Sequence, residues 1–139
     1  MSTVQKLLRD ALVSRIQAAL PAVTLFRAPR REIADTELPA ICIYGQHDRP
    51  QNADEDDHAK AHGRTYTVRV EIRAKGLIED DTTDLLAVAV RRAVLSEDTL
   101  GGLCDRTTWG EQLWDGDEGD PPLSGTALEF NHFYLWRPE

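Results

Sequence analysis

Cysteine is scarce in this chain: Cys42 and Cys104 are the only two in 139 residues. Two distant thiols in a chain without export features read as reduced core residues, not as a disulfide. Long hydrophobic runs are missing too. No apolar stretch approaches the roughly 20 residues that span a bilayer, so no membrane partner is expected. The first residues lack the charged start, apolar stretch and small-residue cleavage site of a secretory signal. The chain is therefore expected to stay in the compartment where it is made. Positive charge is not in excess either, the formal net charge being −8. A general nucleic-acid binder needs a basic face to displace counterions, and no direct sequence-specific nucleic-acid binding is expected here. A glycine-rich phosphate loop is absent, and Ser14, Ser96 and Ser124 lack the setting of a nucleophile elbow.

What remains is an ordinary globular composition, 41% hydrophobic and 29% charged, of a length that supports one domain with one core. The charge is unevenly spread. Residues 1–31 hold Lys6, Arg9, Arg15, Arg27, Arg30 and Arg31 against Asp10 alone, a balance of +5 that leaves −13 on the remainder. A basic end and an acidic body suit head-to-tail packing of identical copies.

Hydrophobic spacing orders the elements. Val4, Leu7, Leu8, Ala11, Leu12, Ile16 and Leu20 recur at helical period. Ser2 and Gln5 suggest a capping box ahead of them, and Pro21 ends the helix. Val23 to Arg27 is a short strand candidate. Ala40-Ile41-Cys42-Ile43-Tyr44 is a strand buried on both faces. From 45 to 63 nothing apolar is larger than alanine, which predicts a mobile acidic loop. The alternating segment Arg64 to Ala74 puts Tyr66, Val68, Val70 and Ile72 on one face, with Thr65, Thr67, Arg69, Glu71 and Arg73 on the other. It is expected to pair with 40–44. A helix follows, with Asp80, Asp81 and Asp84 at its start and Arg91 and Arg92 near its end, as the helix dipole favours. Its apolar face is read as Leu85, Leu86, Ala89, Val90, Ala93 and Val94. Residues 103–114 and 124–137 form a closing hairpin around the turn-rich segment 115–122. The expected fold is a single α+β domain over 1–139, ordered helix, three strands, helix, two strands, with a mostly antiparallel or mixed sheet carrying two helices.

Chemistry-bearing patterns are thin. Asp115–Asp120 fails as a calcium loop, because the sixth and twelfth positions hold Asp120 and Thr126 where glycine and glutamate are needed. His58 and His62 have a helical zinc spacing in a segment with no helical pattern, which reads as coincidence. His132 reads as a hydrogen-bonded strand residue. Glu71, Asp84 and Lys75 faintly match a magnesium-dependent nuclease, yet Arg73 stands where that pattern wants lysine. No cofactor, metal or catalytic residue is assigned, and the expectation is a protein that is not an enzyme.

The layout from Val4 to Trp136 resembles the phage tail terminator family, the minor tail protein U type of lambda-like and other long-tailed phages. The resemblance is carried by Val68-Arg69-Val70-Glu71-Ile72-Arg73-Ala74, by the helix opening at Asp84-Leu85-Leu86, and by Asp98-Thr99-Leu100-Gly101-Gly102-Leu103 after it. It implies a subunit that closes into a ring, a hexamer in the family, on the last ring of tail-tube subunits. There it stops polymerisation and offers a surface to head-completion or neck proteins. The implied locations are the host cytoplasm during assembly and then the virion tail. A neighbouring neck or head–tail joining protein is the close alternative. The candidate partner surface comprises Arg30, Arg31, Arg69, Arg73, Phe133 and Leu135, together with the 45–63 loop.

Overall fold

The computed structural model describes residues 3–29, 32–52, 60–76, 82–117 and 123–138. Helix α1 spans Val4–Ala19. Its cap is Thr3, whose extended backbone lets the hydroxyl accept from the Lys6 amide at 3.2 Å. The expected Ser2–Gln5 box is thereby corrected. Ser2 lies outside the described residues, and the Gln5 side chain instead donates to Asp48 Oδ2 at 3.2 Å and to the Tyr134 hydroxyl at 3.1 Å. A tertiary acceptor has won over a local one. Leu8, Leu12, Val13 and Ile16 are buried, whereas Val4 and Leu7, counted in the apolar stripe, are exposed.

Strand β1 (Thr24–Phe26) runs parallel to β2 (Ala40–Pro50), which pairs antiparallel with β3 (His62–Lys75). Helix α2 (Thr82–Leu95) follows, then β4 (Arg106–Asp117) and β5 (Leu123–Trp136). The sheet order is β1-β2-β3-β5-β4, with every pair antiparallel except β1–β2. The α+β class and the expected element order both hold. Strand β3 is the spine, paired along its whole length with β5 and over most of it with β2.

The strands reach further than their apolar runs. Ala40, Ile41, Cys42 and Ile43 are buried, as the unbroken run implied, but β2 continues through polar residues to Pro50. The loop expected over 45–63 is therefore strand at both ends, and residues 53–59 lie outside the described residues. Two features carry β2 onward. A Cβ on Gly45 would collide with the Tyr66 hydroxyl, so glycine leaves that ring its place, and a bulge follows between Gly45 and His47. Beyond the bulge, Asp48 turns toward the core. It accepts from Arg64 Nε at 2.5 Å and from the Tyr134 hydroxyl at 2.6 Å, so burial of its carboxylate is compensated.

The alternation in β3 and β5 sorts the two faces. Tyr66, Val68, Val70, Ile72, Leu128, Phe130, His132 and Tyr134 point to the helices and are buried. Each fully buried aliphatic or aromatic side chain there contributes about 1.5–3 kcal/mol. Helix α2 presents Thr83, Ala87, Val90 and Val94 to the sheet. That rotates the expected face, and Leu85 is 70% exposed. The turn after α2 is fixed by one carboxylate. Glu97 accepts from the Thr99 hydroxyl and amide, the Gly101 amide and Arg15, which together pull its carboxyl down to about 2. Arg15 also donates to the Val94 and Glu97 carbonyls at 3.2 and 2.6 Å, tying α1 to the end of α2. Leu100, Gly101 and Gly102 adopt φ of 50°, 73° and 86°, a left-handed path on which two glycines suit the backbone.

Both cysteines are free and buried. Cys104 joins a buried polar chain in which its Sγ lies 3.5 Å from Thr107 Oγ1, which lies 2.8 Å from His132 Nδ1. Burial pushes the His132 imidazole down from 6.5 to about 4. Between those values the unfolded chain binds a proton that the folded chain refuses, so stability rises with pH across the window. Urea denaturation is expected to show this contribution in full above pH 6.5. It is lost as pH falls toward 4, by up to roughly 3 kcal/mol. His132→Gln should flatten that slope; an unchanged slope in the variant would assign it elsewhere.

Candidate interaction surface

Both helices pack on one face of the sheet, α1 over β2 and α2 over β3, β5 and β4. Among the described residues no helix covers the other face. Period-2 alternation places Arg69, Glu71 and Arg73 of β3 there, beside Tyr44 of β2 and Ala127, Phe133 and Leu135 of β5. Four candidates, Arg69, Arg73, Phe133 and Leu135, thus share one surface. They do not converge on a point. Phe133 lies opposite Thr65, eight residues or about 27 Å along the strand from Arg73. Arg30 and Arg31 lie outside the described residues.

The centre of this face is organised by Glu71. Its Oε1 accepts from the Tyr44 hydroxyl at 2.5 Å and from Arg69 Nε at 3.1 Å, and Arg73 Nη2 stands 3.8 Å from Oε2. Burial and the bond to Glu71 push the Tyr44 phenol up to about 12. Arg73 Nε is buried and has no hydrogen-bond partner among the described residues. A cleft of about 320 Å³ opens here, lined by Arg69, Glu71, Arg73, Leu113, Asp115 and Ala127. Asp115 lies over Gly125, which has no side chain to displace it. Further along, the Thr67 hydroxyl donates to Asn131 Oδ1 at 2.7 Å, and the Arg106 guanidinium lies 4.5 Å over the Phe133 ring. This arginine covers part of Phe133, while Leu135 is 45% exposed.

The sheet edge at β4 carries a second apolar group that sequence reasoning missed. Trp109, Leu113 and Trp114 are roughly half exposed. A spacing of five puts two strand residues on opposite faces. The bulge between Trp109 and Gln112 inserts one residue and returns both tryptophans to the helix side, opposite Phe130 and Thr126. There Arg91 lies 4.3 Å over the Trp109 ring, and Trp114 Nε1 donates to Asp84 Oδ1 at 2.9 Å. The faint nuclease set is not assembled. Glu71 is on the open face, whereas Asp84 is on α2 beyond the sheet and bonded to Trp114. Among the described residues, no group of three or more His, Cys, Asp or Glu has the placement to hold a metal ion. His62, of the His58–His62 pair, accepts from Arg64 at Nε2, leaving Nδ1 to donate to the Lys60 carbonyl. His58 lies outside the described residues.

No family model matches the chain, and no curated protein matches its sequence. Similarity appears in solved structures. A chain in the virion of a native gene transfer agent particle is 11% identical and superposes with a TM-score of 0.56 over 92% of this chain and 94% of that one. A protein from Akkermansia muciniphila, solved without its transmembrane region, covers 98% of this chain and 86% of its own at 10% identity, with a TM-score of only 0.37. The first shares the fold over nearly its full length; the second is too distant to bear on it. Among the described residues no helix is long and apolar enough to cross a membrane.

The Tyr44–Glu71 bond is open to direct titration. The Tyr44 phenol is expected to ionise near 12 in the native protein. In Glu71→Gln, where the anionic acceptor is gone, it should ionise at lower pH. Ultraviolet difference titration against Tyr44→Phe isolates this group, and an unshifted midpoint would show that the two side chains are not coupled in solution.

Proposed function

We propose that this chain is a virion assembly protein of the tail terminator kind. It closes into a ring, a hexamer on the family pattern, caps the tail tube, stops tail polymerisation and presents a joining surface to head-completion or neck proteins. The observation that carries the reading is the full-length sharing of its fold with a chain of a gene transfer agent virion. Fold alone leaves function open, and two physical features support the assignment. Among the described residues the sheet has one face without cover from α1 or α2, bearing arginines, Phe133 and Leu135, and it has an edge strand with half-exposed tryptophans. Large aromatic and arginine side chains at a partly dry surface are the usual anchors of protein contacts. The chain acts in this reading by binding, without turnover of a substrate.

The open face is the surface that meets tube or neck subunits. Arg73 Nε, buried without an acceptor, is a donor that a partner's carboxylate or carbonyl completes. A docking or neck role without ring closure uses the same face and differs in stoichiometry.

Electron microscopy of purified tail tubes mixed with the chain tests this. The native protein should form closed rings that sit on tube ends and halt elongation. Leu135→Glu, at a half-exposed position, should keep the circular dichroism of the native fold and weaken capping at least about tenfold, the equivalent of about 1.4 kcal/mol. Tubes that elongate unchecked in the presence of the folded native protein would refute the assignment.

A further inference from the structure

We infer that the ring contact is made edge to edge, with the β4 edge of one copy seated against the α1–β2 edge of the next. This rests on the ring reading above and specifies the surfaces that close it. The first surface is β4, twelve residues long and with no strand beyond it among the described residues. An exposed strand of that length is a template for pairing. Trp109 and Trp114 stand on its helix side, and Glu111 together with Asp115, the latter on the open face, gives the strand negative charge.

The second surface is at the opposite edge. Strand β1 covers only Ala40–Cys42 of β2, so among the described residues β2 has no outer neighbour from Ile43 to Pro50. Beside that uncovered stretch is a cleft of about 210 Å³ lined by Lys6, Arg9, Asp10, Val13, Arg27 and Ile43. Lys6 and Arg27 share the single carboxylate, Asp10, at 2.9 and 2.5 Å, and Arg9 donates to the Tyr66 hydroxyl, so the cleft keeps a net positive charge opposite in sign to the β4 strand. Both surfaces lie on the helix side of the sheet. An edge-to-edge contact that preserves the layering therefore brings the tryptophans of one copy to the apolar floor, Val13 and Ile43, of the next. The two surfaces differ, so the contact is heterologous, which is the kind that propagates around a ring. The His47 Nδ1 atom, buried on the same uncovered stretch without a partner among the described residues, gains an acceptor or donor when a neighbouring strand arrives.

A complementation experiment with two dead surfaces tests this. Trp114→Glu disables the β4 surface, and Arg27→Glu with Lys6→Glu disables the cleft. Each is expected to stay folded by circular dichroism and to weaken self-association about 30-fold or more, as loss of an anchor residue does. Mixed together, the two variants should give 1:1 dimers in native mass spectrometry and nothing larger, because each retains the surface its partner lacks. Rings that persist in either variant would overturn this interface and leave the ring reading standing. A native protein that stays monomeric at every concentration and on tube ends would overturn both.

Discussion

The organising constraint is a sheet that, among the described residues, carries α1 and α2 on one side only. Strand β3 pairs with β2 on one flank and β5 on the other, and alternation sends its apolar residues to the helices and Arg69, Glu71 and Arg73 away. Every other element is placed by that division. Helix α1 seals β2, α2 seals β3 and β5, and the Arg15–Glu97 clasp holds the two helices together at the end of α2. Neither α1 nor α2 reaches the second face, and Ile33 and Leu38 border one end of it in a cleft with Arg73, Asp115 and Gly125. At the centre of that face a carboxylate lies between two arginines beside Leu113 and Ala127, and Phe133 and Leu135 sit at one end.

Polar interactions decide where the sheet stops, which explains which parts were legible from the residues. Period was enough for α1, for β3 and for the closing hairpin, because apolar side chains mark each repeat. It also placed Arg69 and Arg73 on the face away from the helices. It failed for β2 beyond Tyr44, where the strand is held by Asp48 bonding to Arg64, Gln5 and Tyr134. Those partners are 16 to 86 residues away in sequence and leave no local signature. The rotation of α2 is of the same kind. Leu85 fits the helical stripe as well as Ala87 does, but the small side chain lets the helix approach the sheet, and the leucine stays outside.

The β4 edge was illegible for a different reason. Trp109 and Trp114 look like residues of opposite faces until the bulge is counted, and no residue between them announces it. Gly110 is suggestive in retrospect, since a Cβ there would press on the Asn131 side chain. Glycine at such a place marks a close approach. The fold is shared with a chain of a gene transfer agent virion, and the assembly role is proposed from that likeness together with the open sheet face and the aromatic edge. In the proposed role, a subunit with both features gains further burial from its neighbours.

That claim is tested most directly by hydroxyl-radical footprinting of the free chain and of the chain assembled on tail tubes. The account expects Phe133, Leu135, Trp109 and Trp114 to react in the free chain and to be protected in the assembly. Equal reactivity of the open face and the β4 edge before and after assembly would contradict it.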